Sequence, residues 1–315
     1  MRNSYMLLVS LLFVWKMSGK GEISLTYTDF NAHDLVLVKE WEVKRSYIAI
    51  VKDARGKKYI IKQSKKDDVK GEMFCVREVA GAYLAKILGI PANEVLLIPA
   101  GVSVVGKKNK NRAATMHTFV EGIHWGVKKF EGSRFFSLRQ RLSRAPSDAE
   151  KGLTLIVIKS MALHATLPLI VALDSFLGIS GRNKRNLIYD ESHDAFYVID
   201  FDTGCTNNLC VWAIERLTEI MKSQDKVLEK QDIEGLILYK KMLEKIIHTI
   251  SPAFVHTLLY DALVQAHIRD AGEAKKCVAR YEDALTHSYG CIKKLIDVVK
   301  NVLMAYNKKI GFYHS

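Results

Sequence analysis

Two residues that could hold a cation stand at the ends of one short segment. Asn186 precedes the apolar run 187–189 (LIY), and Asp200 follows the run 196–199 (FYVI). The polar stretch 190–194 between the runs has turn chemistry, so the pattern predicts a β-hairpin. A hairpin brings its two ends side by side. An amide oxygen and a carboxylate meeting there make a site for a hard cation such as Mg²⁺. Asp202 lies two residues past Asp200, and a strand continuing through it would turn both carboxylates to one face. The loop ahead of the hairpin carries Arg182, Lys184 and Arg185. These could contact phosphate or an acidic substrate, or simply face water.

A lysine and a glutamate extend this chemistry. Lys62 follows the apolar triplet 59–61 and is expected to end a strand, from which it can reach into a cleft. Glu78 lies within residues 72–88, where Val76, Val79, Ala80, Tyr83, Leu84 and Ile87 recur at helical spacing. It sits one position from that stripe and could reach a lysine on a neighbouring sheet. Taken singly, each reads as surface charge.

The elements that would position these groups divide the chain. Runs 35–38, 47–51 and 59–61, with the turn Asp53-Ala54-Arg55-Gly56, read as a meander of short antiparallel strands. Residues 64–70 read as a loop, and Gly89 stops the helix that follows. Runs 95–98, 103–105 and 114–119 read as further strands, closed by Glu121-Gly122. Residues 125–143 are aromatic and basic, a solvated basic helix or an anionic-partner surface. From residue 153 the pattern is helical apart from the hairpin. Ser251-Pro252 is a helix start, with Ser as N-cap and Pro at the first position. The apolar stripes after residue 230 read as scaffold.

Bulk properties set limits. With 315 residues and 49% hydrophobic residues, the chain is long enough to bury a sizeable core. The net charge of +13 favours polyanionic partners: phosphorylated ligands, acidic membrane surfaces or nucleic acid. Nucleic acid ranks last, because the basic residues form no periodic basic helix and no stacking-aromatic motif accompanies them. The five cysteines form no C-x-x-C pair and no zinc spacing; a Cys277–Cys291 bridge stays open in an oxidising compartment. Arg2 followed by the apolar stretch 6–15 reads as a signal peptide over residues 1–22, which implies a secretory or secreted protein; without it the chain is cytoplasmic. No other run approaches the length of a membrane span.

A small β-rich lobe with one helix, then a larger helical lobe opening on a catalytic hairpin, is the plan of protein-kinase-like folds. The segment LGISGRNKRNLIYD…FYVIDFDTG resembles the catalytic and metal-binding segments of the phosphatidylinositol 3- and 4-kinases, the HipA-like kinases and the actin-fragmin kinase group. The resemblance implies an α+β bilobal fold, with residues 23–122 as N-lobe and 123–315 as C-lobe. It implies Asn186 and Asp200 as ligands of Mg²⁺ or Mn²⁺, Lys62 as the ATP-phosphate lysine and Glu78 as its helix partner. It places Ser46, in Lys44-Arg45-Ser46, where a glycine-rich loop would lie over phosphate. It also makes residues 114–122, with Glu121, the hinge that takes adenine. The activity implied is ATP-dependent phosphoryl transfer to a protein or phosphoinositide-type hydroxyl, with Asp200, Arg182 and Asp202 at the reacting end.

The chain departs from these kinases in its catalytic loop, and its first strand pair lacks a glycine-rich loop. Gly181 stands where they carry the base aspartate, and Asn183 where several carry histidine. Such a base contributes about 10²–10⁴-fold. Three readings stay open: another carboxylate substitutes, Asp202 or Asp174 being nearest in sequence; the chain is a pseudokinase that binds nucleotide; or it transfers another part of ATP.

Overall fold

In a computed structural model the described residues are 35–66, 68–124, 158, 161–179, 186–202, 213–215, 217–218 and 228–313. Residues 1–22, expected to be a signal peptide, the basic segment 125–143, and Gly181, Arg182, Asn183, Lys184 and Arg185 lie outside them.

The expected α+β order is observed: a β-rich N-terminal part precedes a mostly helical C-terminal part. Strands β1 (Val36–Glu42), β2 (Ser46–Lys52), β3 (Lys58–Ser64), β4 (Val95–Ile98) and β5 (Ala114–Thr118) form one antiparallel sheet in the order β1-β2-β3-β5-β4. Between β3 and β4 lie helices α1 (Val69–Glu72) and α2 (Phe74–Leu88). A second sheet, ordered β6-β7-β8, joins β6 (Ile123–His124) to the hairpin strands β7 (Leu187–Asp190) and β8 (Ala195–Val198). Helix α3 (Thr166–Leu177) precedes that hairpin. Helices α4 (Lys230–Thr249), α5 (Pro252–Ala266) and α6 (Ala271–Tyr313) complete the chain. Among the described residues no helix is long and apolar enough to cross a membrane.

Side-chain alternation in β3 decides what the sheet offers each face. Tyr59 and Ile61 are buried with Ala49, Val51, Ile98, Val104 and Met116 in a small core on one side. Lys62 leaves from the opposite side. The strand runs on to Ser64, so Lys62 stands inside it, opposite Ile48 of β2 and Thr115 of β5, and not at its end. Residues 103–105 form no strand. Their β-branched side chains serve burial instead: Val104 is in the small core, and Val102 and Val105 pack against it. Gln63 fastens this loop, donating to the carbonyls of Asn109 (2.7 Å) and Arg112 (3.2 Å) and accepting from Asn109 N–H (3.0 Å).

The helical segment also differs from its reading. A short helix, α1, begins inside the expected loop 64–70, started by the Asp68 side chain accepting from Gly71 N–H at 2.6 Å. Met73 then separates it from α2, which ends at Gly89 with φ 71°, a left-handed cap that glycine adopts without strain. Likewise the helix expected from residue 153 is interrupted by a turn at 162–163, and α3 begins at Thr166.

The C-terminal helices bury the expected stripes. Leu236, Leu243, Ile246 and Ile250 are fully buried, as are Leu258, Leu259, Ile292, Leu295 and Val299. Ser251 caps α5 as expected, its side chain accepting from Phe254 N–H at 3.1 Å with Pro252 at the first position. Polar ties join these helices to the N-terminal part: Arg269 Nε to Glu72 Oε1 at 3.1 Å, Lys245 Nζ to the Leu88 carbonyl at 2.5 Å, and Ala100 N–H to the Ala266 carbonyl at 3.1 Å. The expectation left open for Cys277 and Cys291 resolves to free thiols, and Cys75 is free as well.

Candidate functional site

The hairpin forms as its turn chemistry predicts. Asp190 accepts from Ser192 N–H (2.9 Å), Ser192 Oγ (2.6 Å) and His193 Nδ1 (2.7 Å). Those hydrogen bonds, from Ser192 first and His193 second, hold its pKa down to about 2. Strands β7 and β8 then pair from Asp190↔Ala195 down to Leu187↔Val198, and Ile199 N–H closes on the Asn186 carbonyl at 3.1 Å. The consequence is the expected meeting of the two ends: Asn186 Nδ2 donates to Asp200 Oδ2 at 2.9 Å. The hairpin is also tied to the rest of the fold, because Val198 N–H donates to the Pro91 carbonyl just after α2.

The strand does not run on through Asp200. It ends at Val198, and Asp200 turns the chain with φ 69°, in the left-handed region. That turn, rather than strand alternation, brings Asp202 back beside Asp200. Ligand atoms of Glu78, Asp200 and Asp202 all lie within 4.8 Å of one another.

Lys62 closes the group from the sheet. Its Nζ donates to Glu78 Oε1 and to Asp200 Oδ1, both at 2.6 Å. Glu78 is fully buried, contrary to a surface reading, and its second oxygen accepts Phe201 N–H at 2.8 Å. Both of its oxygens are therefore engaged. Glu78 orients Lys62 and the Asp200–Phe201 backbone, while Asp200, Asp202 and Asn186 face what binds beside them.

The electrostatics follow from burial and crowding. Burial alone would lower the Lys62 pKa, but attraction to Glu78, then to Asp200 and Asp202, outweighs it, and Lys62 stays protonated. Burial raises the Glu78 carboxyl to about 7 against the attraction of Lys62, with Asp200 and Asp202 adding repulsion. Burial and then Asp200 also push Asp202 up. Among the described residues Asp202 Oδ1 is buried without a hydrogen-bond partner. A cluster of carboxylates crowded enough to resist ionisation, with one oxygen orphaned and an amide beside it, fits a hard divalent cation by donor chemistry.

The remaining expected residues distribute as follows. Ser46 is buried at the start of β2, opposite Ser64, and lines a cavity with Asp202. Glu121 does not join the cluster: its side chain is exposed and lies 3.4 Å from Lys58. Asp174 is buried in α3, outside the carboxylate cluster. Arg182 is outside the described residues.

Two positioning residues escape a reading of the sequence. Phe201 is fully buried against α2, and Gly81 makes room for it; a Cβ on Gly81 would lie 2.6 Å from the Phe201 Cβ. The available signal was spacing, since Gly81 stands three residues after Glu78 and so lies near it on the same side of the helix.

No protein-family model matches the chain, and no curated protein sequence matches it. Among solved structures it is similar to the Rio2 kinase of Chaetomium thermophilum, in an ADP/Mg²⁺-phosphoaspartate complex. The identity is 15%, the TM-score 0.27, and the match covers 84% of this chain and 70% of that one. A likeness of that size carries no functional detail.

Proposed function

We propose that the chain binds ATP with Mg²⁺ or Mn²⁺ and transfers a phosphoryl group to a protein or lipid hydroxyl. The observation that carries this reading is Lys62, whose ammonium bridges Glu78 on the helix and Asp200 beside the hairpin, each at 2.6 Å. Phosphoryl transfer asks little covalent chemistry of a protein. It needs fixed positive charge at the phosphates and carboxylates that hold a metal between them.

Lys62 supplies the fixed charge, and Glu78 keeps it aimed across the sheet face. Asp200 and Asp202, with the Asn186 amide oxygen, would hold the cation, which neutralises developing charge on the phosphates when bound. Phe201 N–H, anchored on Glu78, keeps Asp200 at the hairpin end. Asp202 is the carboxylate available to orient an acceptor hydroxyl in place of the base that Gly181 lacks. Ser46 at the start of β2 and the backbone around Glu121 remain the proposed contacts for phosphate and adenine, and Arg182 a proposed contact at the reacting end. The closer likeness to phosphatidylinositol and HipA-like kinases, and the choice of a phosphoinositide or an acidic membrane surface as partner, rest on the sequence.

The test is ATP consumption by the full chain with Mg²⁺ or Mn²⁺, repeated with Asp200→Asn. Turnover falling by at least about 10²-fold supports the assignment; equal turnover sinks it. A second reading, a nucleotide-binding pseudokinase, is favoured by Gly181. It predicts stabilisation by ATP plus metal with no group transferred to any acceptor. Mass spectrometry after incubation with ATP separates phosphorylation, nucleotidylation and neither. The chemistry is placed in a secretory compartment on the reading of residues 1–22 as a cleaved leader, which N-terminal sequencing of the mature protein checks.

A further inference from the structure

Asp202 also lines a second feature, a cavity of about 190 Å³ whose other charged walls are all basic. Arg45 comes from the turn into β2, Lys66 from the loop after β3, Lys70 from α1 and Arg77 from α2. Four cations and one carboxylate thus face one small space. Among the described residues none of the four cations makes an ion pair. Among the described residues Glu42 pairs with Lys65 at 2.7 Å and Glu72 Oε1 with Arg269 at 3.1 Å, neither with these four cations. Among the described residues Arg77 Nε is buried with no acceptor. Arg45, Lys66 and Lys70 are exposed and Arg77 is half-buried, so an anion in the cavity can reach all four.

The cavity is built rather than incidental. Arg112 Nη1 donates to the carbonyls of Ser64 (3.3 Å), Lys65 (3.2 Å) and Lys66 (3.2 Å), which fixes the loop carrying Lys66. Gly71 forms the floor. A Cβ there would lie 2.5 Å from the Lys66 Cβ and 2.8 Å from Ser64 Oγ, so this wall closes only around glycine. Ser46 and Ser64, paired across β2 and β3, add two hydroxyls.

We infer that this cavity is a binding site for a phosphate group, separate from the Asp200 metal site and sharing only Asp202 with it. Its volume is below the roughly 300 Å³ at which cavities for drug-sized ligands begin, so it takes the phosphate and not the molecule that carries it. Guanidinium forks, ammonium groups and hydroxyls converging from several sides match a tetrahedral oxyanion better than a planar carboxylate. The phosphate comes either from the tail of a nucleotide, which rests on the function proposed above, or from a second phosphorylated ligand, which does not.

The experiment titrates inorganic phosphate and pyrophosphate into the full chain by calorimetry, with Arg77→Gln and Lys66→Gln in parallel. Wild type binds, and each substitution weakens binding by about tenfold or more. Thermal unfolding verifies that the variants are folded; Lys66, on an exposed loop, is the safer of the two. Absence of binding to wild type, or unchanged binding in both variants, overturns the inference. Competition between phosphate and ATP, with Arg77→Gln weakening ATP but not adenosine, upholds it and identifies the nucleotide tail. Simultaneous binding of phosphate and ATP upholds it and identifies a second ligand. If ATP fails to bind at all, the function proposed above falls, and phosphate binding lost in Arg77→Gln still stands.

Discussion

Glu78 accepts the backbone N–H of Phe201 at 2.8 Å with one oxygen and Lys62 Nζ at 2.6 Å with the other. One buried side chain on α2 therefore holds both the sheet lysine and the segment that carries Asp200. The site is assembled by this residue more than by the hairpin alone.

Removing Lys62 leaves that carboxylate buried and short of its cation. Breaking a buried pair from one side costs about 3–5 kcal/mol. Lys62→Met is expected to lose about 3 kcal/mol in urea unfolding at pH 8, and less at pH 5, where Glu78 takes up a proton. Lys62→Met/Glu78→Gln should recover most of the loss. Equal instability of the single and double variants would show that the pair contributes nothing beyond packing.

The pH dependence of stability has a defined sign. The folded Glu78 carboxyl titrates near 7, above its ordinary value of 4.5. Between these values the folded chain keeps a proton that the unfolded chain has released. The associated stability is complete below pH 4.5 and is lost as the pH rises to 7, by at most about 1.4 kcal/mol per pH unit. Other groups titrate in the same range, so the measured quantity is the difference between wild type and Glu78→Gln. That difference should change between pH 4.5 and 7 and be flat below; a difference flat throughout refutes the assignment.

Two helical glycines should respond oppositely to alanine. Gly81→Ala drives a methyl into Phe201 and is expected to cost about 1–3 kcal/mol while weakening metal-dependent nucleotide binding, because Phe201 adjoins Asp200. Gly290, in α6, has nothing within 4 Å of an added Cβ. Gly290→Ala should stabilise by about 0.5–1 kcal/mol, the gain in helix propensity. Chemical denaturation of both variants decides the matter; loss at both sites would mean that propensity, and not the Phe201 contact, had been misjudged.

Cys277 and Cys291 both lie on α6, and a separation of 14 residues (277 to 291) spans about 21 Å at 1.5 Å per residue. A disulfide needs Cα atoms within about 7 Å. Thiol labelling of the folded protein should modify Cys277, the more accessible of the two, without prior reduction. Labelling of Cys277 only after reductant is added would contradict this pairing state.

The hairpin was legible because alternation and turn residues are local signals, and Asn186 meeting Asp200 follows from them. Lys62 was legible as a group leaving a sheet, although the strand extends past it because Gln63 and Ser64 are buried polar residues that an apolar triplet does not announce. Glu78 was half legible. Helix α2 is buried on nearly every side, so counting an apolar stripe leaves a glutamate looking peripheral when it sits at the centre. Gly81 and the cavity cations were invisible for a different reason. A close approach to Phe201 has no signature in a helix, and Arg45, Lys66, Lys70 and Arg77 come from four segments that converge only after folding. The run 103–105 misled because burial in a loop and pairing in a sheet favour the same side chains, here Val104 and Val105.

Asp200 adopts φ 69°, a backbone conformation that Asn and Asp tolerate and most other side chains resist. In a saturation library at this codon, charge and backbone act as two separate filters. Asn passes the backbone filter and fails the charge one, which makes it the clean probe of ligand chemistry. Glu keeps the charge yet must enter a left-handed turn with a longer side chain, so it should rank below Asn for folding and also fail to restore activity. Alanine fails both filters at once, and its phenotype would mix two causes that the other substitutions keep apart.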